Sequence, residues 1–156
     1  MSDQFDDIDI QILEMLQENG RTRRSDLAAK IGLSIPAASE RLRKLEERKV
    51  VVRYAAVVDA KKIGLDVMAF IAVQSESSAH YKAFREKAAA HPDVLECHAV
   101  TGDGSHLLKV RTRNTETLEK LLSQIQSWPG VTATRTSVVL SSPKESTRLS
   151  VKHLKS

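Results

Sequence analysis

Apolar positions recur at helical spacing three times before Val50. Ile8, Ile12, Leu13 and Leu16 follow the acids Asp6 and Asp7, which predicts a helix over 7–19 with an acid-favoured start and Gly20 as its stop. Leu27, Ala28 and Ile31 predict a very short second helix, capped by Thr22 or Ser25 and ended by Gly32, whose missing side chain suits a left-handed turn. Ala38, Leu42 and Leu45 share one face of a third helix, with Ser34 as its cap and Pro36 in its first turn.

A short helix, a glycine-containing turn and a longer helix with a small-residue start form a helix-turn-helix, whose last helix enters the major groove of DNA. The demand there is close approach. Ala37, Ala38 and Ser39 let the backbone near the base edges, while Arg41, Arg43 and Lys44 fall off the apolar face, in reach of phosphates or guanine. An ordinary three-helix core with a charged outside satisfies the same pattern.

After Val50 the periodicity changes. Val50–Val52 and Tyr54–Val58 are largely β-branched, aromatic or small, which predicts an extended, strand-like linker over 54–65. Beyond it the order is a strand at 68–73, a helix at 80–90, a hairpin of 94–100 with 106–112 around Gly102-Asp103-Gly104-Ser105, a helix at 115–127 broken by Pro129-Gly130, and a strand at 131–140. That βαββαβ succession is the ferredoxin-like split unit, an antiparallel sheet with both helices on one face. The chain is thus α+β: a three-helix domain over 1–53, the linker over 54–65, the mixed domain over 66–142 and a C-terminal extension over 143–156. The sheet's other face needs a cover, and a second copy of the chain supplies one economically, which predicts at least a dimer.

Charge sharpens the picture of the first domain. Residues 1–19 hold six acids and no base, whereas Arg21–Arg53 hold ten bases against four acids, inside a chain of net charge +4. Such a local excess gives salt-sensitive affinity for phosphates, though solvated surfaces carry similar charge. The basic tail with Lys144, Arg148, Lys152 and Lys155 is a further DNA contact or a solvated end, and Thr147, Leu149 and Val151 alternate like an edge strand.

Composition excludes other classes. With 41% apolar and 28% charged residues the chain is globular. No apolar run spans a bilayer and the N-terminus lacks signal-peptide order, so a cytoplasmic location and no membrane partner are expected. Cys97 is the single cysteine, expected as a packed thiol, and excludes a disulfide framework. His80, His91, His98, His106 and His153 show no metal-ligand spacing, and pairing 98 with 109 sets His98 and His106 on opposite sheet faces. No nucleophilic triad or phosphate-cradling loop is present, so no cofactor is required. Trp128 is expected as a packing anchor.

Several stretches together resemble the Lrp/AsnC family of regulators: DDIDIQILEMLQENGR (6–21), DLAAKIGLS (26–34), RLRKLEERKVV (41–51), YAAVVDAKKIGL (54–65), VTGD with LLKV (100–110) and WPGV (128–131). The resemblance implies a winged-type helix-turn-helix that binds double-stranded DNA, followed by a RAM domain that forms homodimers and often octamers and binds a small molecule, frequently an amino acid. By position it marks Ser25, Ser34, Pro36, Ala37, Ser39, Glu40, Arg41, Arg43 and Lys44 as DNA-binding, with Ser34–Lys44 as the recognition helix. It marks Gly102, Asp103, Gly104, Ser105 and His106 as the effector region.

Two departures stand out. Many members carry an acid and then an aromatic where Ser105 and His106 stand, and without that carboxylate an ammonium group loses a charge-assisted contact. Arg23 and Arg24 replace the polar caps usual before the second helix. A rival reading is an enzyme: siroheme decarboxylases are similar to this family and reuse both domains around a tetrapyrrole with histidine and arginine contacts, a role for which His98 and His106 are the candidates.

Overall fold

The computed structural model describes residues 5–155; Asp3, first of the N-terminal acids, and Ser156 lie outside them. The chain divides into two compact units, one built from 1–57 with 144–156 and the other from 58–143.

The first unit is held by three helices, α1 (Asp7–Glu18), α2 (Arg24–Ile31) and α3 (Ile35–Glu47). Helix α1 begins with a reciprocal cap: the Asp6 carboxylate accepts from the Asp9 amide at 2.8 Å, and the Asp9 carboxylate accepts from the Asp6 amide. Gly32, at φ +70°, closes α2 in the left-handed conformation, its amide donating to the Ala28 carbonyl. Ser34 caps α3 through the Ala37 amide at 3.3 Å. The expected cap of α2 is not formed. Arg23 holds that position without a side-chain bond, and the Thr22 hydroxyl donates instead to the Asn19 carbonyl at 2.6 Å. Ile12, Leu13, Leu16, Leu27, Leu42 and Leu45 make the core.

The C-terminal extension belongs to this unit. Gln17 of α1 both donates to the Leu149 carbonyl at 3.0 Å and accepts from its amide at 2.7 Å, and Val151 packs on the helical core. The expected edge strand there is absent, since Gln17 and not a neighbouring strand takes the Leu149 backbone. The strand expected over 54–65 is likewise not formed. Only a 3₁₀ turn at Lys61–Ile63 interrupts that stretch, because a strand exists by pairing and no partner is present among the described residues.

The second unit is a four-stranded antiparallel sheet, β1 (Val67–Ser75), β2 (Val94–Ala99), β3 (His106–Thr112) and β4 (Val131–Val138), in the order β2-β3-β1-β4. Helices α4 (Tyr81–Ala90) and α5 (Thr115–Gln126) return the chain between strands, which gives the ferredoxin-like succession. Ala69, Ile71 and Val73 of β1 with Leu108 and Val110 of β3 face Phe84 and Ala88 of α4 and Leu118, Leu121 and Ile125 of α5. Trp128 anchors the end of α5, its ring 5.6 Å from that of Phe84. Alternation sends Phe70 to the opposite face, where it remains 36% exposed at the centre of the sheet.

Candidate nucleic-acid interface and effector loop

Helix α3 is fixed by Ala38, Leu42 and Leu45, all buried. At roughly 100° per residue, Pro36, Glu40, Arg43 and Lys44 then lie on the outward arc. The front of the helix is open: Ser34, Ile35, Pro36 and Ala37 are exposed, as is Ser25 on α2, while Ser39 is half-buried. Small side chains at an exposed, capped helix start are what close approach to base edges requires. Ile35 was not among the sequence candidates, yet it stands 50% exposed at the first position of α3. Ile35 keeps the spacing of the buried positions, three before Ala38 and seven before Leu42, so periodicity alone assigns it to the apolar face and its exposure is seen only in the structure.

The two arginines differ. Arg43, outward, is gripped by its own helix: Nε and Nη2 donate to the Glu40 carboxylate at 2.8 and 2.7 Å, and Nη1 pairs with Glu47. Glu40 raises its already high pKa, so the charge is permanent. Arg41 turns the other way, toward α1. Its Nη1 lies 2.5 Å from Asp6 and 3.3 Å from Asp9, the latter carboxylate almost fully buried. Of the three cations grouped from the sequence, Arg41 thus pairs across to α1 while Arg43 and Lys44 stand outward.

The hairpin loop is shaped by two glycines, Gly102 at φ +98° and Gly104 at φ +99°. A Cβ at Gly104 would meet the Val73 carbonyl oxygen at 2.7 Å, and the next amide, that of Ser105, donates to the same oxygen at 2.8 Å. The loop is thereby seated on β1. Asp103 stands outward, 3.4 Å from Arg135. His106 departs from the expected grouping, because it is the first residue of β3 and its ring is 1% exposed. Alternation turns it to the helical side, edge-on to Tyr81 at 4.8 Å and against Phe84 at 4.8 Å, while Nδ1 meets the Ser105 hydroxyl at 2.9 Å. Its Nε2 has no hydrogen-bond partner among the described residues. A groove of about 570 Å³ lies elsewhere, between the ends of α4 and α5, lined by Lys87, His91, Gln124 and Trp128.

Burial, with a smaller push from Arg85, holds the His106 imidazole below its ordinary pKa of 6.5. The unfolded chain therefore binds a proton that the folded one resists, and stability falls as pH drops through 6.5 toward the lower folded value. His106→Leu should remove that component, so the stability difference between variant and parent should change between about pH 7 and pH 5. Parallel denaturant-derived stability curves across that range would contradict it.

His98 pairs with Leu107 and Ala99 with His106, a register two residues from the expected pairing of 98 with 109. The opposite-face placement of the two histidines is unchanged by the shift. Cys97 is half-buried rather than fully packed, since β2 is an edge strand with a bulge between Val94 and Glu96, and burial raises its thiol pKa. Among the described residues no three His, Cys, Asp or Glu side chains group as a metal site, and no helix is long and apolar enough to cross a membrane.

Comparison with known proteins agrees with this geometry along the whole chain. Residues 5–52 match the winged helix-turn-helix DNA-binding model and residues 66–149 the Lrp/AsnC ligand binding domain model. The HTH-type transcriptional regulator FL11 of Pyrococcus horikoshii is 35% identical over 148 residues, covering 95% of this chain and 97% of that protein. The leucine-responsive regulatory protein of Klebsiella pneumoniae is 33% identical, covering 95% and 92%. The crystal structure of a Neisseria meningitidis transcriptional regulator in complex with L-Met superposes with a TM-score of 0.92 at 32% identity, covering 96% of this chain and 99% of that one. The chain belongs to the Lrp/AsnC family of DNA-binding transcriptional regulators.

Proposed function

We propose that α3 reads duplex DNA in the major groove with the edge Ser34–Ala37, Ile35 meeting a thymine methyl, while Ser25, Ser39, Arg43 and Lys44 contact or frame the phosphates. The exposed, Ser34-capped front of α3 carries this reading, because a helix start free of its own core is open to a groove. Arg43 reaches a phosphate by exchanging Glu40 and Glu47 for it, which suits a contact formed only on binding. The test is duplex affinity measured against salt concentration, using genomic fragments that co-purify with the protein. Affinity should fall linearly in log–log form as salt rises, and a salt-independent signal would refute phosphate contact.

The second unit is the sensor and assembly unit in this reading. A small molecule, an amino acid in the first instance, binds at the loop Gly102–Ser105, supported by the matched ligand-binding model and by the L-Met held by the Neisseria relative. Self-association is supported by Phe70, 36% exposed on the sheet face opposite the helices, and by Tyr54, Val57 and Val58, which are 48%, 95% and 61% exposed in a stretch that pairs with no strand among the described residues. A dimer in which these segments pair would bury both, and higher assembly builds on it. The boundaries follow the same logic, with a DNA-binding domain over 1–53, a linker over 54–65, a sensor domain over 66–142 and the extension over 143–156. The decarboxylase alternative loses its main support, since His98 and His106 face opposite sides of one sheet and the latter is buried. One subunit cannot close both on a single tetrapyrrole.

A further inference from the structure

We infer that Arg41 is a positioning residue, pinned to the Asp6–Asp9 cap of α1 so that α3 presents its leading edge at a fixed rotation, and that it does not itself contact DNA. The inference rests on the DNA-binding reading of α3.

The first observation is angular. Arg41 borders the buried arc of Ala38, Leu42 and Leu45, whereas Glu40, Arg43 and Lys44 lie outward. The second is the state of its partners. Asp6 and Asp9 are already locked to each other's backbone amides, so their carboxylates sit in one place before the guanidinium arrives. The third is burial. The Asp9 residue is 7% exposed, and withdrawing Arg41 to a phosphate would leave a carboxylate uncompensated where water barely reaches. Asp6 is held below the usual carboxylate range, first by the Asp9 amide and then by Arg41, so it stays charged at neutral pH.

A second tether runs in parallel. Arg48, two turns along α3 from Arg41, lies 5.1 Å from the centre of the Phe5 ring, and both arginines line the same cleft of about 390 Å³ with Asp6 and Asp9. The apolar seam sets the distance between α1 and α3, and these polar ties set the roll. Recognition needs side chains placed within about 0.5 Å and 10–20°. Loosening the roll costs affinity without removing any contact to DNA.

This gives opposite signs for two accounts of the same arginine. If Arg41 served DNA, the acids would compete with phosphate, and neutralising them would tighten binding. If Arg41 positions α3, neutralising them weakens it. Asp6→Asn is the cleanest variant, because Asn caps a helix as well as Asp does and only the ion pair is lost. Asp9→Asn and Arg41→Gln complete the set, with thermal unfolding recorded for each so that affinities are compared where all are folded.

Each variant should weaken duplex binding by about threefold to tenfold, a range typical of one coupled pair. The log–log salt slope should stay as in the parent, and the Asp6→Asn/Arg41→Gln double variant should bind no worse than the weaker single. Tighter binding by Asp6→Asn, with a slope reduced by about 0.9 in Arg41→Gln, would show a phosphate contact and overturn the inference. Lowered melting temperatures with unchanged affinity would reduce the tie to fold stability alone, which overturns it too. Failure of the parent to bind duplex in a salt-dependent way would instead remove the underlying reading.

Discussion

Replacing Gly104 with alanine should lower the stability of the second unit by about 2–4 kcal/mol, from left-handed backbone strain and a displaced hydrogen bond together. Two effects coincide at this residue. Its φ of +99° is one that a Cβ opposes, and that Cβ would sit 2.7 Å from the Val73 carbonyl oxygen. The obstacle is backbone of the central strand β1 and cannot swing aside. The same oxygen accepts the Ser105 amide at 2.8 Å, so relieving the clash lifts the loop off β1 and breaks the bond that seats it.

Gly102 is the internal control. Its φ of +98° carries the same strain, but an added Cβ meets nothing within 4 Å. Thermal unfolding of both alanine variants should place Gly104→Ala well below Gly102→Ala, by several degrees for each kcal/mol in a unit of this size. Equal melting points would mean that the seat on β1 does not constrain the loop. Because the proposed effector region is this loop, Gly104→Ala should also blunt any amino-acid response of the regulator, measured as the shift in duplex affinity on adding L-Met.

How much of this was readable beforehand follows from the range of each interaction. The start of α1 at Asp6 and Asp7, the Ser34 cap of α3 and the alternation of β1 and β3 are local patterns. Their period or spacing contains the whole signal, and the elements stand within a residue or two of their expected limits. Contacts between distant residues were not legible. Gln17 takes the backbone of Leu149 across 132 positions, and that pairing replaces the strand its alternation suggested. Arg41 reaches Asp6 across 35 positions, an ion pair between α3 and the start of α1, and no periodicity encodes which acid an arginine chooses.

His106 shows the same limit in another form. The turn glycines located the loop, but the residue after Ser105 already belongs to β3, and strand alternation sends it to the helical side among Tyr81 and Phe84. The hairpin register failed by two residues because turn length, which a polar run leaves open, sets it. Ile35 escaped because its spacing is that of the buried face, three before Ala38 and seven before Leu42, and only the structure shows that this first position of α3 is left exposed.

The open front of α3 makes a second strong expectation, one in which stability and function move in opposite directions. Ala37 is exposed, three positions after the Ser34 cap. Glutamate there completes the Ser-x-x-Glu arrangement in which the cap and the third helical residue satisfy each other's amides, and its charge suits the positive end of the helix. Ala37→Glu should therefore keep or raise the stability of the first unit, by up to about 0.5 kcal/mol. On DNA the same side chain sets a negative charge and four extra heavy atoms where the backbone must approach base edges and phosphates. Like-charge juxtaposition in an interface costs several kcal/mol, so duplex affinity should fall by about 100-fold or more. A core residue gives the reverse pattern, with stability lost first and binding lost because the fold is lost. Ala37→Glu that melted no lower than the parent and still bound duplex with parental affinity would remove the front of α3 from the interface.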